Sequence, residues 1–264
     1  MNRLRMTKRL LIAAGLAAAA MPAGAASARR YRLSLIAGEP RGALLRAGID
    51  VDLEPGWKTY WRMPGDAGVP PQFDWSGSQN VRAVEVRWPA PTRFIDAGGE
   101  SVGYKSRVVF PLRVTPERAS DATRLRLAMF FAVCKEICIP AEERTELASW
   151  QADPAAEGLL KAFEDRVPTK ADPSSPFRVG KASMNAAGGA LKLRLTFEGK
   201  PPGDLDIFVE SKDTSYFHAP QFDGGDTCEL AVAGSADPRR LEGAALKLTM
   251  VARDLALEQD IIVA

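Results

Sequence analysis

The alternation of apolar and polar positions predicts a chain built almost wholly from short strands. Residues 43–53 end with Ile49, Val51 and Leu53 on one face and acids on the other, the period-two pattern of a half-buried strand. Glu54-Pro55-Gly56 reads as a turn, residues 57–62 as an aromatic strand, and residues 63–71 as a long turn-rich loop. Two more strands are expected at 73–75 and 81–88, then an irregular stretch over 89–104. Residues 108–114 form a strand in which Pro111, lacking an N–H, argues for an edge or a bulge. From 125 to 134 the alternation is clearest. Leu125, Leu127, Met129, Phe131 and Val133 share one face, while Arg126, Ala128, Phe130, Ala132 and Cys134 share the other. That second face is the less apolar one, where a partner could reach Cys134 beside Phe130.

The period changes once. Leu159, Leu160 and Phe163, with charges between them, predict a short amphipathic helix over 155–167, and Asp153-Pro154 suits its cap and first turn. Residues 168–176 read as a Pro- and Ser-containing linker. Strands then resume at 177–184, 190–197, 205–210, 227–232, 246–252 and 255–263, spaced as in a second sandwich. The expected organisation is all-β: a leader over 1–28, a first immunoglobulin-like sandwich over 29–152, a helix and linker over 153–176, and a second sandwich over 177–264. Trp57, Trp61, Trp75 and Trp88 fit a sandwich core better than a carbohydrate-stacking surface, because most fall at strand positions and each buries a large area.

The start of the chain changes the compartment. Arg3, Arg5, Lys8 and Arg9 precede an apolar run from Leu10 to Met21, and small residues follow at Ala23-Gly24-Ala25 and Ala26-Ser27-Ala28. A basic head, a short apolar middle and a small-residue exit describe a secretory signal peptide. The run is shorter than the roughly 20 residues a membrane span requires. Export permits disulfides. Of 35 basic and 33 acidic residues the leader takes four basic ones, which leaves about −2 on the mature chain. Without a basic block, nucleic acid is not an expected partner.

Three cysteines are present, Cys134, Cys138 and Cys228, so at least one is free or paired between molecules. On one extended strand, Cys134 and Cys138 would stand roughly 13 Å apart at about 3.3 Å per residue, whereas a disulfide needs about 4.4–6.8 Å between Cα atoms. Bonding therefore requires the chain to turn at Lys135–Ile137, after which Pro140 suits a fresh extended segment. A bridge this short gains only about 2 kcal/mol of loop entropy, against about 4.7 for a bridge from Cys134 to Cys228. A pure staple would favour the longer loop, and a short near-surface loop is where a reducible bond sits. Three readings stay open: an exchange-active disulfide, a structural clip, and thiols for a metal. Lys135 favours a thiolate at Cys134 and Glu136 opposes it. His218, the single histidine, lies in the other half of the chain, so nothing places a Cys–His nucleophile. Zinc lacks ligands. Cuprous ion would be content with two thiolates and a methionine such as Met63 or Met129. Cys228 reads as a small apolar core residue.

Trp57-Lys58-Thr59-Tyr60-Trp61-Arg62-Met63-Pro64-Gly65-Asp66-Ala67-Gly68, then Trp88-Pro89-Ala90-Pro91, Gly103-Tyr104, Val109-Phe110-Pro111-Leu112 and the two-cysteine stretch come in an order that resembles one family. It is the amino-terminal periplasmic module of the DsbD-type thiol:disulfide interchange proteins, in particular the ScsB-like branch, and the likeness covers residues 31–150. The resemblance implies an immunoglobulin-like sandwich in which Cys134 and Cys138 cycle between dithiol and disulfide. It implies electrons taken from a membrane-embedded thiol-disulfide transporter and passed to periplasmic thioredoxin-like proteins, with no cofactor and no metal. Such a module is a component of a protein-disulfide reductase system. Residues 95–99 are similar in position to a loop that caps the cysteines. Asp96 and Gly99 match its pattern, Ala97 stands where the family has a shielding Phe, and Phe94 is the candidate substitute. The cysteine spacing is narrower than in the best-known members. The alternatives are a copper(I)-handling module and a non-catalytic assembly domain whose disulfide stiffens a loop.

Overall fold

A computed structural model describes residues 30–65, 68–96, 99–187, 190–212, 215–233 and 241–264. The predicted leader lies outside the described residues. The chain folds into four mainly antiparallel sheets, packed as two sandwiches with separate cores.

In the first sandwich one sheet runs β1 (Tyr31–Arg41), β2 (Leu44–Leu53), β8 (Arg107–Pro116), β5 (Val81–Val86). Facing it is a second sheet in the order β10 (Cys138–Leu147), β9 (Leu125–Cys134), β3 (Lys58–Gly65), β7 (Gly99–Lys105), β6 (Thr92–Asp96), with β4 (Gln72–Asp74) also paired to β9. The alternation read from sequence sets the interior. Ile49, Val51 and Leu53 meet Leu125, Leu127, Met129, Phe131 and Val133 in one buried cluster. Trp57 and Trp61 are buried in it and Trp75 and Trp88 pack against it, so the tryptophans are core rather than a binding surface.

Two expectations are corrected. Residues 89–104 are not irregular: they form β6 and β7, joined as a hairpin with Asp96 opposite Gly99. Glycines hid the pattern while permitting the pairing. A Cβ at Gly103 would stand 1.9 Å from the Thr59 carbonyl oxygen, so only glycine lets β7 lie this close to β3. Pro111 is neither at an edge nor at a bulge, since β8 is flanked by β2 and β5. The Pro111 carbonyl accepts from Arg87 N–H on the β5 side. Its nitrogen faces that same side opposite Arg87, so the return bond of that pair cannot form, and the β5 ladder ends at Val86.

Helix α1 (Pro154–Glu164) begins as predicted, with the Asp153 side chain accepting from Ala156 N–H. It docks on the first sandwich: Leu160 and Phe163 join that core. Buried Arg46 on β2 reaches Glu157 and Glu164 at 2.8 Å each. Gly38 and Gly48 leave room for Leu160.

The second sandwich has one sheet ordered β11 (Thr169–Lys170), β18 (Leu255–Ile262), β17 (Ala245–Ala252), β14 (Asp206–Glu210). The other is β12 (Arg178–Ala187), β13 (Ala190–Glu198), β16 (Thr227–Ala231), β15 (Gln221–Phe222). Residues 169–170, expected within the linker, pair in parallel with β18. The two sandwiches touch through side chains. Phe208 of β14 joins the first core, 5.7 Å from the Trp61 ring centroid. Arg62 of β3 reaches Glu210 at 2.7 Å and Glu258 at 2.6 Å.

Candidate functional site

β9 runs out at Cys134, Lys135–Ile137 make the bend, and β10 returns from Cys138, so the two cysteines are direct cross-strand partners. Their Cα atoms are 4.2 Å apart and their sulfurs are bonded. The turn required by the sequence is present, closed by Lys135 N–H donating to the Ile137 carbonyl. Pro140 sits in β10, an edge strand of its sheet, where it leaves no ladder acceptor unmet.

The two sulfurs are not equivalent. Cys134 is 2% exposed, whereas Cys138 lies on the exposed side of the hairpin. The expectation that a partner could reach Cys134 is thus corrected: of the two sulfurs, Cys138 is the accessible one. Tyr60 and Ala132 bury Cys134, with Val69 packed over them. Tyr60 is two residues beyond Lys58, which registers with Cys134 across β3 and β9, and strand alternation turns both toward the cysteine face. The Tyr60 hydroxyl lies 2.8 Å from Cys134 Sγ and 3.1 Å from Cys138 Sγ, so one O–H serves both sulfurs. Around Cys138 the apolar side chains Phe130, Ile137 and Ile139 are solvent-exposed.

Lys58 is the cation beside the pair. It is buried, its Nζ donates to Ser101 Oγ at 2.9 Å, and it stands over the Phe94 ring at 5.5 Å. Lys135, the cation that the sequence suggested, is exposed and packs over Gly56 instead. Phe94 is buried beneath Lys58 and Lys105. Gly99, at φ +108°, closes the β6–β7 hairpin opposite Asp96, whose side chain lies outside the described residues, as does Ala97. The cover directly against Cys134 is therefore Tyr60 and Val69, with Phe94 joined to the site through Lys58. Tyr60 and Lys58 were readable as alternate positions of the 57–62 strand, but its aromatic character pointed to core alone.

Other candidates fall away from the sulfurs. Met129 is buried in the sandwich interior and Met63 packs against the same core, on the side opposite Cys134. Among the described residues no group of three or more His, Cys, Asp or Glu could hold a metal ion. Cys228 is buried in the second core, its thiol pushed up to about 12 by burial and by Asp223 and Glu229, which keeps it inert. His218 hydrogen-bonds Glu100 at the junction of the sandwiches.

Tyr60→Phe is a direct probe of the shared hydroxyl. A hydrogen bond to a charged group contributes about 1.5–3 kcal/mol, so the thiolate released on reduction should form roughly tenfold more slowly or worse. Stopped-flow reduction by dithiothreitol measures this, and an unchanged rate would show that the hydroxyl does not assist departure.

Such a site defines a class: a β-sandwich with a surface hairpin disulfide, one sulfur presented and the other shielded. Residues 33–149 match the family described as thiol:disulfide interchange protein DsbD, N-terminal, and over that span the chain is similar to a DsbD-type N-terminal module. The crystal structure of the N-terminal periplasmic domain of ScsB from Proteus mirabilis shares the fold, with a TM-score of 0.69 and 24% identity over 87% of this chain and 92% of that one. No curated protein sequence matches the chain. No helix among the described residues is long and apolar enough to cross a membrane.

Proposed function

We propose that this protein relays reducing equivalents in the periplasm by dithiol–disulfide exchange at Cys134 and Cys138. It would take electrons from a membrane-embedded thiol-disulfide transporter and pass them to thioredoxin-like proteins. The observation that carries the reading is the asymmetry of the pair, with Cys138 presented among exposed apolar residues and Cys134 held under Tyr60. A donor thiolate attacks Cys138 Sγ in line with the bond, the Cys134–Cys138 bond breaks, and Cys134 departs as a thiolate that accepts from the Tyr60 hydroxyl. The donor's second thiolate then attacks the donor sulfur of the mixed disulfide and releases Cys138. Two electrons enter and the donor is left oxidised. Onward transfer reverses the roles: Cys138 attacks the client disulfide, and Cys134 attacks Cys138 Sγ to free the client.

Domain boundaries at 29–152 and 177–264, with a leader over 1–28 removed on export, complete this reading. The family match and the periplasmic origin of the structural neighbour support it. Titrating the native protein with graded ratios of reduced to oxidised glutathione, with maleimide labelling at each ratio, tests it. The expected outcome is reversible opening of one disulfide while the near-ultraviolet spectrum stays folded. A bond that resists dithiothreitol until the protein unfolds would make it a clip.

A further inference from the structure

The β6–β7 hairpin is held from the second sandwich at two residues, Arg93 of β6 and Glu100 of β7. Glu100 is 13% exposed and accepts from the Tyr216 hydroxyl at 2.7 Å, lies 3.2 Å from His218 Nδ1, and is ion-paired with Arg93. Burial by itself would raise the Glu100 carboxyl, but the hydrogen bonds from Tyr216 and His218 and the Arg93 charge outweigh it and hold it below the usual carboxylate range. Arg93 in turn reaches Asp206 and the Ile207 carbonyl of β14.

The backbone of the same segment supports the cover on Cys134. Gly65, the last residue of β3, sits at φ +88°, and a Cβ there would be 2.6 Å from the Glu100 carbonyl oxygen and 3.0 Å from Ser101 Cα. From this close contact the chain continues to Gly68 and Val69. Gly68 lies so near Tyr60 that a Cβ would stand 2.8 Å from the ring, and Val69 packs over Tyr60 and Cys134. Ser101, next to Glu100, accepts from Lys58, the cross-strand neighbour of Cys134. Two contact routes therefore lead from Glu100 to the surroundings of the shielded sulfur.

We propose that the second sandwich is a brace for the cover over Cys134, with Tyr216 and His218 as positioning residues that set how often this sulfur is uncovered. The purpose of the brace, control of exchange, rests on the relay reading; the access it controls does not. Neither residue touches the disulfide, and both act through Glu100 and Gly65. Removing their hydrogen bonds loosens the contact between Gly65 and the Glu100 backbone and leaves the hairpin at Cys138 untouched.

The test uses the full chain, reduced chemically beforehand so that the result is independent of whether the native bond cycles. Iodoacetamide labelling of each cysteine is followed by peptide mass spectrometry in the wild type and in a Tyr216→Phe/His218→Ala double variant. Cys134 should react about tenfold faster in the variant, equivalent to a 1.4 kcal/mol easier opening, while Cys138 stays at its wild-type rate. Cys228, buried in the second core, reports global loosening and should remain unreacted. His218→Gln, which keeps a side-chain donor, should restore the wild-type rate in the Tyr216-intact protein. An unchanged Cys134 rate, or Cys134 and Cys228 rising together, overturns the proposal. If the double variant fails to fold, Tyr216→Phe alone keeps the ring packing, and the same ratio of Cys134 to Cys138 labelling decides. Failure of the relay reading would appear separately, in the glutathione titration of the wild type.

Discussion

Cys134→Ser should accumulate a stable mixed disulfide with oxidised glutathione through Cys138, whereas Cys138→Ser should form almost none. In the first variant the exposed sulfur attacks and the resolving thiol is gone, so the adduct persists. In the second, the remaining thiol at Cys134 is 2% exposed beneath Tyr60 and Val69 and must wait for a local opening. If that opening costs about 3 kcal/mol, attack slows roughly 100-fold at tenfold per 1.4 kcal/mol. Intact mass spectrometry of the two variants after a fixed exposure reads the difference. Equal adduct formation would show that burial of Cys134 does not direct the chemistry, and preferential adducts on Cys134 would reverse the assignment of roles.

Arg93→Ala should destabilise the protein by about 3–5 kcal/mol, the usual cost of removing one partner from a buried ionic cluster. The Arg93 side chain is 6% exposed, pairs with Glu100 and Asp206, donates to the Ile207 carbonyl, and stands 4.9 Å over the Phe208 ring. Without it, Glu100 and Asp206 both lose the cation they share. Calorimetry should show the sandwiches melting apart, with the lower transition falling by roughly 4–8 °C for each kcal/mol lost, as for domains of about 100 residues. Arg93→Lys should rescue little, because a single ammonium cannot meet acceptors on both strands as the planar fork does. A wild-type melting profile would mean that the remaining junction contacts, Trp61–Phe208 packing and the Arg62 ion pairs among them, hold the sandwiches without Arg93.

The same cluster carries a pH dependence of determined sign. The Glu100 carboxyl is held below its unfolded-state value, about 4.3. Its contribution to stability is therefore complete above that value and is lost as pH falls through the lower folded value. The wild-type junction should weaken below about pH 4, and Arg93→Ala should show a shallower loss across the same range because part of the depression is already gone.

How much of this was legible without coordinates differs element by element. Residues 125–134 announced their strand and its interior face because alternation is a local property, decided by each residue's own neighbours. Helix α1 was legible for the same reason, from Asp153-Pro154 and the spacing of Leu160 and Phe163. Chain geometry alone gave the condition that a bond between Cys134 and Cys138 demands a turn, and the fold shows both the turn and the bond. The β6–β7 hairpin was missed because its signal sits elsewhere. Gly103 makes sense only once Thr59 is known to lie against it. Pro111 misled in the same way, as its harmlessness depends on where β5 stops.

The sequence by itself determined an all-β chain with one helix, the interior faces of its main strands, and a cysteine pair able to bond only by turning the chain. The tertiary structure alone decided which sulfur is presented, that Tyr60 and Lys58 rather than Lys135 attend the pair, and that Glu100 is gripped from the second sandwich. The reason is physical. Alternation and turns are written within a few residues, whereas those side chains meet across separations of 74 residues for Tyr60 and Cys134 and 116 for Glu100 and Tyr216, and only sheet register brings them together.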